Sequence, residues 1–381
     1  MTERRNEGWP VASAPLAHAT APLAPVGPAP ETPNPADLAC PAPIPERARV
    51  LLGHGSGGQL SAALMREVLA PALAAASPGG PLNDAAVVEV AGERLAFTTD
   101  SFVVSPLEFP GGDIGELAVN GTVNDLAMMG AQPLALSLAY VIEEGLAVEE
   151  LRRVTESVAR AANRAGVRIV TGDTKVVGRG AADRLFVNTA GIGVVAPGVA
   201  IGADRAQAGD AVILSGPIGL HGVAIMSVRE GLDFEVEIAS DTQPLNALVA
   251  GIVAVCPDVH VLRDPTRGGL ASALNEIAAA SGAGIELEEE AIPIPGPVHA
   301  ACEMLGLDPL HVANEGKLVA IVPALSAEAV LSAMHAVPEG AEAVEIGRVV
   351  ADHPGMVTLQ TVVGSQRIVD MLVGEQLPRI C

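Results

Sequence analysis

The sequence has 381 residues, room for about two domains, and carries 45 acidic against 22 basic side chains for a net charge of −23. Such a surface repels nucleic-acid phosphates and anionic lipid, and an aromatic content of 2% leaves almost no base-stacking platform. A 49% hydrophobic content demands a large aliphatic core, while cysteines at 40, 256, 302 and 381 lack any CxxC spacing, which excludes a zinc knuckle or disulfide framework and suggests a reducing cytoplasm.

Residues 1–45 hold eleven prolines among alanines and small polar residues, and they read as a disordered leader with no signal peptide. Arg49–Leu52 is a short apolar start before the glycine-rich run Gly53–Gly58. Gln59–Ala76 has helical spacing. Ala85–Val90 and Arg94–Thr99 alternate as strands around a tight Ala91-Gly92-Glu93 turn. Ile114–Met129 is predicted helical and Leu134–Ile142 a strand; the apolar run Leu126–Ile142 contains Gln132 and Pro133 and is short for a membrane span. Val148–Ala165 is a strongly amphipathic helix ended by Gly166. Val167–Val170 and Phe186–Val195 are strands, and Ala196-Pro197-Gly198 with Ala203–Gly209 reads as a domain junction.

The second half opens with a strand at Ala211–Ser215 and a helix at Val223–Arg229. Helices follow at Leu245–Val255, Leu270–Ala280 and Ser326–Ala336, with strands at Val259–Leu262, Gly284–Leu287 and Leu318–Val322. Thr358–Val363 and Arg367–Leu372 form a closing hairpin. Hairpins mixed with helices indicate two α+β domains, at 46–200 and 201–363, and residues 364–381 form a last strand and a mobile tail.

Gly53, Gly55 and Gly58 satisfy G-x-G-x-x-G, but the hairpin that follows is the wrong context for a dinucleotide fold. A flexible loop or a flap whose bare amides close over phosphates fits better. Aspartates 84, 100, 125, 173 and 264 recur at strand or loop positions, a donor set for an oxygen-loving cation, Mg²⁺ above all, beside a nucleotide. Without a Walker A lysine, Lys175, Arg263 and Arg267 are the candidates to offset triphosphate charge. Asn120 and Asn124, one helical turn apart, suit either a ligand or the core. Asn314-Glu315-Gly316-Lys317, with His311 just before, suits either a surface turn or a buried general base. Cys381, at the end of a polar segment, reads equally as a carrier thiol or an incidental cysteine.

Taken together, His54–Gly58, Thr99–Ser105, Phe109–Asp113, Val119–Ala127, Ile142–Gly145, Thr171–Val177, Arg263–Gly269, Ala313–Lys317 and Pro378–Cys381 resemble the HypE family of hydrogenase-maturation proteins. That family lies within the aminoimidazole-ribonucleotide synthetase superfamily. The resemblance spans about Val50 to Cys381. It implies a two-domain α+β fold, with an N-domain sheet that closes a barrel across a homodimer and a C-domain sheet with helices. It also implies ATP-dependent dehydration of a carbamoyl group on Cys381 to a thiocyanate, as a source of cyanide for [NiFe]-hydrogenase iron. A carbamoyltransferase would load Cys381, and iron-assembly scaffold proteins would receive the cyanide.

On this resemblance Asp84, Asp100, Asp125, Asp173 and Asp264 hold Mg²⁺, and Asn120, Asn124, Asp125, Thr174, Lys175, Arg263 and Arg267 meet ATP. Gly55, Ser56, Gly57 and Gly58 cover the phosphates. Lys175 stabilises the phosphates or the activated oxygen, and Glu315 with His311 takes the N–H protons. Where relatives carry two aspartates, this sequence reads Asn83-Asp84. The rival readings are a small-molecule kinase or synthetase of the same fold, for which Cys381 is unnecessary, and a non-catalytic thiol carrier.

Overall fold

A computed structural model describes residues 49–76, 79, 82–231, 238–374 and 379–381. The leader expected at 1–45 lies outside the described residues.

Leu52–Gly55 forms a 3₁₀ turn in place of the expected apolar start. Helix α1 (Gln59–Leu64) passes through a π-helical stretch (Met65–Leu69) into α2 (Ala70–Leu73). Strand β1 (Ala86–Val90) pairs antiparallel with β2 (Glu93–Phe102). The turn between them places Ala91 and Gly92 at φ 53° and 88°, the double left-handed geometry that suits the twist of a hairpin. A miniature hairpin of β3 (Glu108–Phe109) and β4 (Gly112–Asp113) leads into α3 (Ile114–Met128), whose first turn is capped by the Asp113 carboxylate on the amides of Gly115 and Glu116. Then follow β5 (Ala131–Glu143), α4 (Val148–Ala165), β6 (Arg168–Val177) and β7 (Leu185–Val195).

These strands form a five-stranded sheet in the order β1-β2-β7-β5-β6, antiparallel except for the parallel β5–β6 pair. Helix α3 is buried on nearly every side between this sheet, α4 and the second half of the chain. Gly121 lets it approach the sheet, since a Cβ there would lie 2.9 Å from the Phe102 ring. The opposite sheet face is open and apolar, with Val88, Val90, Phe97 and Ile192 exposed.

The second half contains β8 (Asp210–Leu214), α5 (Leu220–Glu230), α6 (Asn246–Val255), β9 (Val261–Arg263), α7 (Gly269–Ser281), β10 (Gly284–Glu288), α8 (Gly296–Leu305), β11 (Val319–Pro323), α9 (Ala327–His335), β12 (Val344–Val350), β13 (Val357–Gln360) and β14 (Gln366–Val369). Its sheet runs β14-β13-β10-β12-β8-β11-β9. Strand β8 is buried along its whole length: Val212 and Leu214 face the α7 side, Ala211 and Ile213 the side of α6 and α9. That accounts for its unbroken apolar sequence.

Two strand ends are corrected, and two elements had no expectation. Strand β6 does not stop at Val170 but continues to Val177, because Ser137–Glu143 of β5 pair residue by residue with Thr171–Val177. Asp173, Thr174 and Lys175 therefore sit within a strand, as does Asp100, since β2 runs on to Phe102. Helix α8 and strand β12 were not anticipated. The prolines at 293, 295 and 297 disguise the start of α8, and Gly347 interrupts β12 where its pairing with β8 shifts register.

Candidate active site

Asp84, Asp125 and Asp264 come from three parts of the chain. Asp84 precedes β1, Asp125 lies near the end of α3, and Asp264 follows β9. One carboxylate oxygen from each falls within 4.8 Å of the others. Thr98 Oγ1 is 2.8 Å from Asp125 Oδ2 and 3.0 Å from the Asp84 carbonyl, tying β2 to the cluster. Burial, then the neighbouring charges, pushes Asp264 up to about 8 and holds Asp125 well above the carboxylate range. Burial likewise raises Asp84 to about 6, against the opposing pull of Arg263. Three crowded carboxylates without a cation repel one another, and a hard divalent ion relieves that repulsion.

Asp100 points to the helix-covered face of the sheet with Thr98 and Phe102. Its charge acts on Asp125 and Asp264 and also on Glu315 and Cys381.

Cys381 is buried rather than trailing in solvent. Its carbonyl accepts from Val103 N at 3.0 Å, and the Arg379 carbonyl accepts from Ser105 N at 3.3 Å and from the Arg229 guanidinium. The Ile380 carbonyl lies 2.8 Å from His221 Nε2, and His221 Nδ1 lies 2.8 Å from Ser240 Oγ. A carbonyl only accepts, so Nε2 carries the proton and Nδ1 takes the Ser240 hydroxyl hydrogen. Burial lowers the His221 pKa and keeps the ring neutral. The docked sulfur lies 3.4 Å from Arg267 Nε. Burial pushes the thiol up to about 11, with Arg267 opposing and Glu315 and Asp100 adding to the rise.

Glu315 is buried, and among the described residues its Oε1 has no hydrogen-bond partner. Burial, followed by the charges of Asp264, Asp100 and Asp241, holds it well above the usual range, while Arg267 pulls the other way. Its backbone is clamped, its amide donating to Asp241 Oδ1 at 3.1 Å and its carbonyl accepting from Asn124 Nδ2 at 3.4 Å. Asn124 also holds the Gln243 carbonyl and the Leu245 amide. Its side chain therefore joins α3 to the second half, the core alternative of the two roles expected for it. Asn120 donates to Thr242 Oγ1 at 3.2 Å, and its buried Oδ1 has no partner among the described residues.

The other expected residues fall elsewhere. Asp173 and Lys175 pair with each other at 2.6 Å on exposed β6, next to Thr174, and do not join the aspartate cluster within this chain. The Lys175 contact lowers the Asp173 pKa. Arg263 is spent on carboxylates, at 3.1 Å from Asp84 and in contact with Glu276. His311 Nε2 donates to the Asp370 carbonyl at 2.9 Å, holding the root of the tail.

The glycine loop packs on the same root. Gln59 N donates to the Leu372 carbonyl at 2.8 Å, and Gly55 O accepts from an Arg267 Nη at 2.8 Å. Gly57, at φ 76°, has no room for a Cβ, which would lie 2.6 Å from the Arg267 carbonyl. Sequence reasoning missed His221, Ser240, Arg229 and Asp241. His221 and Arg229 bind tail carbonyls, Ser240 binds His221, and Asp241 binds the Glu315 amide, contacts for which no spacing rule exists.

Two α+β domains with a carboxylate cluster between them define the AIR synthase class. The AIR synthase related protein family models match here, the N-terminal domain at residues 82–195 and the C-terminal domain at 207–360. Carbamoyl dehydratase HypE of Azotobacter vinelandii is 54% identical over 328 residues, covering 86% of this chain and 96% of the relative. The structure of a HypE–HypF complex matches with a TM-score of 0.77 and 48% identity, covering 81% of this chain and 100% of the other. A hydrogenase maturation protein HypE in complex with ATP matches with a TM-score of 0.74 and 46% identity, over 87% and 100%. The chain belongs to the HypE carbamoyl dehydratase family. Among the described residues no helix is long and apolar enough to cross a membrane.

Proposed function

We propose that this chain dehydrates a carbamoyl group carried on Cys381 to a thiocyanate, at the expense of ATP, for hydrogenase maturation. The observation that carries the reading is the docked Cys381 sulfur, 3.4 Å from Arg267 and under the influence of buried Glu315, whose Oε1 has no partner among the described residues. A kinase acting on a free small molecule has no use for that arrangement.

The amide oxygen is a poor leaving group and must first become a phosphate ester. It bonds to the γ-phosphorus as the β,γ P–O bond breaks and ADP leaves. Glu315 takes one N–H proton at this stage. The C–O bond then breaks, phosphate departs with the second proton, and the C≡N bond forms. In sum, thiocarboxamide and ATP give thiocyanate, ADP, hydrogen phosphate and one proton. Glu315, raised by burial and like charges, holds a proton more tightly than an ordinary carboxylate and is the base nearest this chemistry in type and burial. The glycine loop and the docked tail exclude water, which would otherwise hydrolyse the activated amide.

The all-oxygen cluster suits Mg²⁺, which Asp84, Asp125 and Asp264 would hold with Asp100 adjoining. Bound there, the ion would offset the phosphate charge of ATP. The open apolar sheet face supports closure of a barrel with a second copy. Asp173, Thr174 and Lys175 on β6 would then lie near that seam, available to the nucleotide. Docking raises the thiol to about 11, so a partner carbamoyltransferase would load Cys381 with the tail undocked, and scaffold proteins in the cytoplasm would receive the cyano group.

Intact mass of carbamoylated protein, before and after Mg-ATP, tests the reading. A loss of about 18 Da assigned to the Cys381 peptide is expected of a covalent group dehydrated in place. An adduct that persists with active partner and ATP refutes it.

A further inference from the structure

The sequence made Arg267 one candidate to offset triphosphate charge, and in the structure its guanidinium lies between the glycine loop and the terminal thiol. Nε donates to Cys381 Sγ at 3.4 Å and one Nη donates to Gly55 O at 2.8 Å. Among the described residues the second Nη makes no hydrogen bond. The backbone of Arg267 is pressed against Gly57, which cannot accept a Cβ without striking its carbonyl. The guanidinium therefore occupies a fixed place between the glycine loop and the thiol. A narrow cavity lined by Ser56, Arg267, His311, Leu372 and Ile380 adjoins it.

A carbamoyl group on Cys381 would bring one acceptor and two donors to this spot. Its oxygen stands one carbonyl bond, about 1.23 Å, from a carbon attached to the sulfur that Arg267 already touches. Its NH₂ needs an acceptor, and the unpaired buried Oε1 of Glu315 is one. The two side chains match the two ends of the amide. Arg can span Sγ and Gly55 at once because its donors lie in a rigid planar fork, which the single ammonium of Lys cannot reproduce.

Building on the dehydratase reading, we propose that Arg267 is a catalytic residue: its guanidinium binds the thiocarboxamide oxygen of loaded Cys381 and, through Gly55, couples closure of the glycine loop to docking of the tail. It holds the oxygen that is to be phosphorylated and stabilises charge on it as the C–O bond breaks, while Glu315 receives the N–H proton. The step needs no reactant beyond carbamoylated Cys381 and ATP.

The test uses full-length protein carbamoylated with ¹³C, as wild type and as Arg267→Gln. The C=O infrared stretch is recorded without ATP, followed by Mg-ATP binding by calorimetry and then the dehydration rate by intact mass. Expected for Arg267→Gln are a stretch displaced toward that of a free S-carbamoyl thiol, unchanged ATP affinity, and dehydration slower by about 100-fold, the scale of one lost oxyanion donor. A wild-type stretch and rate in Arg267→Gln overturns the proposal. So does a slow variant with an unchanged stretch and weakened ATP binding, which would place Arg267 on the nucleotide. Should Arg267→Gln not fold, Arg267→Lys serves, and an unshifted stretch there is equally fatal. If wild type fails to lose water on adding ATP, the dehydratase reading itself fails, and the ATP-free spectrum still reports on the Arg267 contact.

Discussion

Replacing His221 by Leu removes the side-chain donor that the described residues give the Ile380 carbonyl, while keeping an apolar group of similar bulk in a fully buried position. A buried carbonyl left without its partner costs about 1–3 kcal/mol. That cost falls on the docked state alone, because the undocked tail hydrogen-bonds to water. The equilibrium between docked and undocked tail should therefore shift by roughly 5- to 150-fold toward undocked. The assay is the alkylation rate of Cys381 by iodoacetamide at pH 8, read by peptide mass. In the wild type the thiol is buried and raised to about 11, so only the undocked population reacts. His221→Leu should speed alkylation by that factor. An unchanged rate in a folded variant would mean that the amides of Val103 and Ser105, with Arg229, hold the tail without help from the imidazole, and the reasoning would be wrong.

The remaining expectations are direct. Glu315→Gln should accept a carbamoyl group normally and dehydrate it about 10²- to 10⁴-fold more slowly by intact mass, the range for losing a general base, whereas Cys381→Ala should not be loaded. Asp264 binds its proton more readily in the folded protein, where its value is about 8, than at the ordinary 3.8, so metal-free protein should lose thermal stability as pH rises from about 4 to about 8. Mg²⁺ should restore the melting temperature at pH 8, and Asp264→Asn should flatten both responses; a pH-independent melting curve for the metal-free protein would contradict the crowding argument. Gly57→Ala combines a strained φ of 76° with a Cβ 2.6 Å from the Arg267 carbonyl. It should destabilise by about 1–3 kcal/mol in urea unfolding. If the open sheet face closes a barrel with a second copy as proposed, Phe97→Asp on that face should give a smaller particle in light scattering than the wild type while leaving the circular dichroism unchanged; equal sizes would refute that pairing.

The fold was legible where one face of an element is apolar and the other polar. Helix α4 has the bounds its periodicity gave, with Gly166 at φ 72° closing it. The β1–β2 hairpin was equally plain. Strand β6 was cut short because its polar Thr171–Lys175 stretch looks like a loop, although its backbone pairs fully with β5. Of the five aspartates, 84, 125 and 264 converge and 100 adjoins them, but 173 lies on another strand; residue type carried the signal, and the spatial grouping did not follow from it. The tail pocket was the least legible part, since its hydrogen bonds go to the main chain of residues 379–381.

The core joining α3 to the second half has a thermodynamic consequence. Val119, Val123 and Leu126 of α3 pack in one buried cluster with Ile213 of β8, Leu248 and Ile252 of α6 and Met334 of α9. Neither half can melt without exposing that shared interior, so calorimetry should record a single endotherm with a van't Hoff enthalpy equal to the calorimetric one. Hinge bending between the halves is opposed by the same packing. Excursions of the native protein are then confined to its periphery, where amide exchange should be fast at the glycine loop and slow throughout α3.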